Sequence, residues 1–131
     1  MQTEYYILAI STLLFMFAWL PVSIGKKISF GMEWLASNRE TNNGKELVHW
    51  AARCERAYAN LKDYFPAFIV AILLLGQLNK FDEGTKWAAI IFLLARIGHY
   101  TAYGLGNFPF RFISYLMAMS ANLFLLLKVF L

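Results

Sequence analysis

Residues Tyr5 to Ile24 read YYILAISTLLFMFAWLPVSI, twenty positions without a charge. Coiled as a helix that stretch is about 30 Å long, the thickness of a bilayer's hydrocarbon layer. The competing reading, a cleaved signal peptide, lacks support: no basic residue precedes the apolar run and no small-x-small site follows it. Tyr5 to Ile24 is therefore expected to be a membrane span. The rest of the chain agrees with that solvent. Of 131 residues, 60% are hydrophobic and only 15% charged, and the mean hydropathy is +0.50, far more apolar than a soluble domain.

Working outward, Gly25 to Gly44 reads as a polar connection carrying Lys26, Lys27, Arg39 and the loop signal Asn42-Asn43-Gly44. From Lys45 to Leu78 the composition drifts from charged to apolar along what reads as one long helix, with Pro66 a candidate kink. Only Tyr64 to Leu78 is charge-free, too short to cross the bilayer, so Asn60 and Asp63 are expected at membrane depth. After the Asn79 to Gly84 turn, Thr85 to Gly106 gives a third span and Pro109 to about Phe130 a fourth, Pro109 suiting a first helical turn. The expectation is an all-α, integral membrane four-helix bundle filling residues 1–131 as one domain, with spans at about 5–24, 46–78, 85–106 and 109–130.

Charge sets the expected topology. Lys26, Lys27, Arg39, Lys45, Arg53, Arg56 and Lys62 cluster between residues 25 and 63, and Arg111 opens the fourth span on that side. Lys80, Lys86 and Lys128 alone mark the other. The positive-inside rule puts the two basic connections in the cytoplasm and both termini opposite. The net charge of +4 thus reads as topology rather than nucleic-acid binding. The lone Cys54 excludes an intrachain disulfide and a cysteine-pair metal site; no metal is expected.

The costly residues fall on three helix faces. Arg53, Arg56, Asn60 and Asp63 follow the spacing i, i+3, i+7, i+10; Arg96, His99 and Tyr103 follow i, i+3, i+7; Arg111 and Tyr115 follow i, i+4. All three faces pass through the same half of the bilayer. Each charge at mid-span costs about 2.5–3.5 kcal/mol to insert, so such residues face a partner, a cavity or a ligand. The plainer alternative is helix-to-helix glue: Arg56 or Arg96 paired with Asp63, Asn60 in an interhelical hydrogen bond, Tyr103 and Tyr115 as interfacial aromatics, His99 and Cys54 as packing.

Two runs carry a resemblance. RAYANLKDYFPAF, Arg56 to Phe68, resembles the second-helix signature R-A-x-x-N-x-x-E-x-x-P of the MAPEG superfamily, membrane-associated proteins in eicosanoid and glutathione metabolism. ARIGHYTAYGLGNFPFRFISY, Ala95 to Tyr115, is similar to that family's third helix, turn and start of the fourth. The resemblance implies a homotrimer of four-helix subunits with glutathione bound between neighbours near the cytoplasmic face. It implies a glutathione transferase or peroxidase acting on lipophilic electrophiles or hydroperoxides. Arg111 would be the catalytic cation holding the thiolate. Arg56, Asn60, Asp63, Tyr64, His99, Tyr103 and Tyr115 would bind glutathione, and Lys26 or Lys27 stands where some members add a basic contact. Arg96 matches a family arginine to which the resemblance attaches no role.

Asp63 replaces the glutamate of the family pattern, and Ala59 and Phe112 stand where the prostaglandin-synthesising members carry arginine and serine. Two other function classes are carried beside the enzyme: a non-catalytic scaffold or regulator of membrane partners, and a proton path through Asp63, Arg96 and His99. The last is disfavoured because three polar faces in one half of the bilayer make no continuous route across it. The short loops favour a bacterial inner membrane, with the endoplasmic reticulum the alternative.

Overall fold

In lipid every backbone N–H and C=O must find a partner inside the chain, and helices are how an open chain does so. A computed structural model describes all of Met1–Leu131, and it is built of six helices: α1 (Thr3–Phe17), α2 (Leu20–Phe30), α3 (Met32–Leu35), α4 (His49–Gln77), α5 (Glu83–Leu105) and α6 (Phe108–Phe130). Four segments are long and apolar enough to cross a membrane: α1 with α2 together, α4, α5 and α6.

The first span is broken at Ala18–Trp19. Pro21 causes the break, because it has no N–H to give the carbonyl of Phe17. The Ala18 N–H folds back on the Phe15 carbonyl at 3.1 Å, and the Ala18 carbonyl is taken by the Tyr100 hydroxyl at 2.5 Å. The helix then continues beyond Ile24 to Phe30, so the polar connection begins at Gly31 rather than Gly25. Packing explains the extension. Gly25 lies so close to α4 that any side chain would collide with Ala51, and Lys26 pairs with Glu55 at 2.7 Å. The connection itself is pinned at both ends: Trp34 Nε1 donates to the Thr41 carbonyl (2.8 Å), and the Val48 N–H donates to Ser29 Oγ (2.8 Å).

Helix α4 passes through Pro66 without interruption. Its C-terminus and the start of α5 are joined by a tight turn in which Asp82 caps α5 through the Thr85 N–H at 2.8 Å, while Thr85 Oγ1 receives the Asp82 N–H. Helix α5 ends on Gly106 in the left-handed region (φ 77°), and Asn107 caps α6 through the Phe110 N–H at 3.2 Å. At this interhelix turn the chain reverses in two residues, which keeps α5 and α6 adjacent along their length.

The centre is made of aromatic rings and alanines. Phe68 of α4 stacks on Phe92 of α5 with centroids 4.0 Å apart, and Ala71, Ala88, Ala89, Ala95, Ala118 and Ala121 line the contacts around them. Small residues let helix backbones approach where lipid supplies no hydrophobic drive for association. Only 25 of 131 residues are buried in a chain that is 60% hydrophobic, so most of the apolar surface faces outward, as lipid contact requires. Of the four spans the first is the least buried. Only Glu4 and Ser11 of α1 are buried; Thr85 Oγ1 lies 2.7 Å from Glu4 Oε1, and Phe15 stacks on Phe65 at 4.9 Å.

Candidate functional site

The polar residues of α4, α5 and α6 meet in the half of the bundle nearer the Gly31–Val48 connection. Tyr103 is the centre of the arrangement. The Arg111 guanidinium lies over its ring, 4.5 Å from the centroid, and also 5.0 Å from that of Phe108. Arg56 approaches the same Tyr103 ring from α4 at 5.9 Å. Two cations therefore share one aromatic platform, and neither has a carboxylate partner in the chain, whose three ion pairs all lie elsewhere. Positive charge without a counterion is costly at membrane depth, and an anion beside it would lower that cost.

Beside it, the hydroxyls of Tyr64 and Tyr115 meet at 3.0 Å, their rings edge to face with centroids 5.7 Å apart. His99 sits edge-on to Tyr103 at 5.6 Å and 6.2 Å from Tyr115, buried, its Nδ1 without a partner. The three faces expected from residue spacing thus converge through Arg56, Tyr64, His99, Tyr103, Arg111 and Tyr115.

Asn60 and Asp63 behave differently. Asn60 accepts a hydrogen bond from Arg96 Nη2 at 2.8 Å, the interhelical bond foreseen as plain glue. Asp63 is exposed and pairs with neither Arg56 nor Arg96. Arg53 donates from Nε to the Gly104 carbonyl at 2.9 Å, at the C-terminal end of α5 where a cation is favoured. Cys54 is buried against Gly104 and does not open onto the site.

One participant escaped sequence reasoning. Asn122 of α6 is buried; its Nδ2 donates to the Tyr64 carbonyl at 3.3 Å while its Oδ1 has no partner. It stands seven residues beyond Tyr115 on the same face, and that spacing was the available signal.

The sequence model of the MAPEG family matches residues 3–131. The chain belongs to the MAPEG family. No curated protein and no solved structure matches it. For this MAPEG protein, then, membership rests on essentially the whole length, including all four spans and every residue of the Tyr103 cluster. The chemistry the cluster can perform follows from its donors. Arginine forks suit carboxylates, a cation held on an aromatic face suits a thiolate, and tyrosine hydroxyls can donate to either.

Proposed function

We propose that this MAPEG protein is a membrane-bound glutathione transferase or peroxidase, with glutathione held at the Tyr103 cluster and a lipophilic second substrate arriving from the bilayer. The observation that carries the reading is the pair of guanidiniums, Arg56 and Arg111, on the single ring of Tyr103 with no carboxylate to neutralise them. Glutathione brings two carboxylates, an ammonium and a thiol. Arg56 would take a carboxylate, Arg111 the sulfur, and exposed Asp63 the γ-glutamyl ammonium. Asn60, Tyr64, His99, Tyr103 and Tyr115 would complete the cradle. The exposure of Arg56 and Asp63 fits a site closed by a neighbouring subunit, in a homotrimer.

In the chemistry, the thiol releases its proton to water at the cytoplasmic face, and the thiolate is held by Arg111 near the N-terminus of α6. The sulfur then forms a carbon–sulfur bond with an electrophile, whose leaving group departs with its bonding pair or, in an addition, whose displaced electron pair takes up a proton from water. With a hydroperoxide it takes the terminal oxygen as the O–O bond breaks, the alkoxide accepts a proton, and a second glutathione displaces water to give the disulfide. The protein binds and orients; glutathione supplies the reactivity.

The test is equilibrium binding of glutathione to detergent-purified protein with ultraviolet thiolate absorbance followed in the same titration. Saturable binding with a thiolate signal at neutral pH supports the reading. Absence of binding would move it to a scaffold or regulator of membrane partners, and a mass that stays monomeric at high protein concentration would remove the trimer.

A further inference from the structure

An arginine side chain is long and freely rotating, and it must surrender most of its rotamers to hold an anion at a fixed point. The α5–α6 turn removes that freedom from Arg111 in advance. Helix α5 ends at Leu105, Gly106 reverses the chain at φ 77°, and Asn107 caps α6, so Phe108 is the first residue of α6. Arg111 stands three residues further on, the spacing that puts both side chains on one helix face. The Arg111 guanidinium carbon lies 5.0 Å from the centroid of Phe108 and 4.5 Å from that of Tyr103. Two aromatic faces, one from each side of the turn, thus hold a single cation.

Phe108 is itself braced. One turn along α6, Phe112 stacks on it with centroids 6.0 Å apart and the ring planes 18° from parallel. Neither ring belongs to the core: Phe108 is 60% exposed and Phe112 50%. A ring so exposed contributes little to packing of the bundle, and contact with lipid would be met by any apolar side chain. What phenylalanine adds over leucine at position 108 is the negative face of its ring, and the group lying over that face is Arg111.

We propose that Phe108, braced by Phe112, is a positioning residue that fixes the Arg111 guanidinium against Tyr103, so that the cation is in place for the sulfur of glutathione before the thiol ionises. The proposal rests on the glutathione reading of the Tyr103 cluster. Phe108 touches neither the sulfur nor the second substrate in this role; it acts through Arg111. Loss of one cation–π contact at an exposed site corresponds to about a two- to fivefold fall in the population of the held rotamer, and the thiolate yield follows that population.

The experiment compares Phe108→Leu, which keeps an apolar side chain without the ring, and Phe108→Tyr, which keeps the ring, with the wild type in the purified full-length protein. Two readouts are taken. The first is the ionisation constant of bound glutathione from ultraviolet thiolate absorbance across pH, with affinity for S-methylglutathione, which has no thiol to ionise, as the measure of an intact site. The second, without glutathione, is the rate at which phenylglyoxal modifies Arg111, mapped by peptide mass, with Arg56, which approaches Tyr103 but not Phe108, as the internal reference. Phe108→Leu should lower the ionisation constant about two- to fivefold and speed modification of Arg111 by a similar factor, with S-methylglutathione affinity unchanged and Phe108→Tyr matching the wild type. An ionisation constant in Phe108→Leu equal to that of the wild type would overturn the positioning role, and so would equal reactivity of Arg111 in the two proteins. A wild type that binds no glutathione, with Arg111 still more reactive in Phe108→Leu, would overturn the glutathione reading and leave the hold of Phe108 on Arg111 standing.

Discussion

Replacing Arg111 by alanine removes the one cation that α6 brings to the Tyr103 ring. Its guanidinium is fixed by the faces of Tyr103 and Phe108 at 4.5 and 5.0 Å, so it is already aimed before any ligand arrives. A unit charge about 4 Å from a thiolate contributes about 4 kcal/mol at an effective dielectric of ~20. Arg111 is only half-buried, and solvent screening reduces that to roughly 2–3 kcal/mol, or about 2 units of thiol pKa. A thiol of ordinary pKa near 8.5 would then titrate near ~6.5 and be about three-quarters ionised at pH 7, against about 3% without the cation. The assay is ultraviolet thiolate absorbance of bound glutathione across pH, under saturating ligand. Arg111→Ala should shift the midpoint upward by about 2 units while glutathione still binds, and Arg111→Lys should fall between. If bound glutathione ionises at the same pH in Arg111→Ala and wild type, Arg111 does not hold the sulfur.

Asn60→Ala strips Arg96 of its one protein acceptor and should cost about 1.5–3 kcal/mol in detergent unfolding; pairing Arg96→Met with Asn60→Leu should recover most of it, and an unaltered Asn60→Ala would sink the idea. Phe68→Ala opens a void against Phe92 and should destabilise by about 3–5 kcal/mol, with a loss below about 1 kcal/mol contradicting the central role given to that stack. Asp82, outside the spans, is held below the usual carboxylate range by its hydrogen bond from Lys128 at 2.5 Å and by the Thr85 N–H. Its depressed pKa gives stability that is present above about pH 4 and lost as pH falls through the folded value. Melting curves between neutral and acid pH should accordingly converge for wild type and Asp82→Asn as the carboxylate protonates; a gap independent of pH would refute this.

Apolar runs bounded by loop signals made the four spans legible, the first of them as a charge-free run of bilayer length. The end of the first span was not. Gly25, Lys26 and Lys27 look like a loop in sequence, yet Gly25 is a packing surface for Ala51 and Lys26 reaches Glu55. The convergence of Tyr103 with Arg111, His99, Tyr115 and Arg56 was legible from helical spacing, since three faces at one depth have few ways to miss each other. Which charges pair was not legible. Asp63 shares the face of Arg56 but stays exposed, while Arg96 pairs with Asn60. Asn122 escaped notice because its partner is the backbone carbonyl of Tyr64, and a carbonyl leaves no mark on residue type.

The break at Ala18–Trp19 bears on how the chain is made. Neither α1, with 15 residues, nor α2, with 11, crosses about 30 Å of hydrocarbon alone, so the ribosome's product must insert them as a single unit. The hydroxyl that takes the Ala18 carbonyl belongs to a residue 82 positions later, which leaves the ribosome after both α2 and α4. During synthesis that carbonyl is without its Tyr100 donor until α5 arrives. The break in the first span is therefore completed only once α5 has followed it into the membrane.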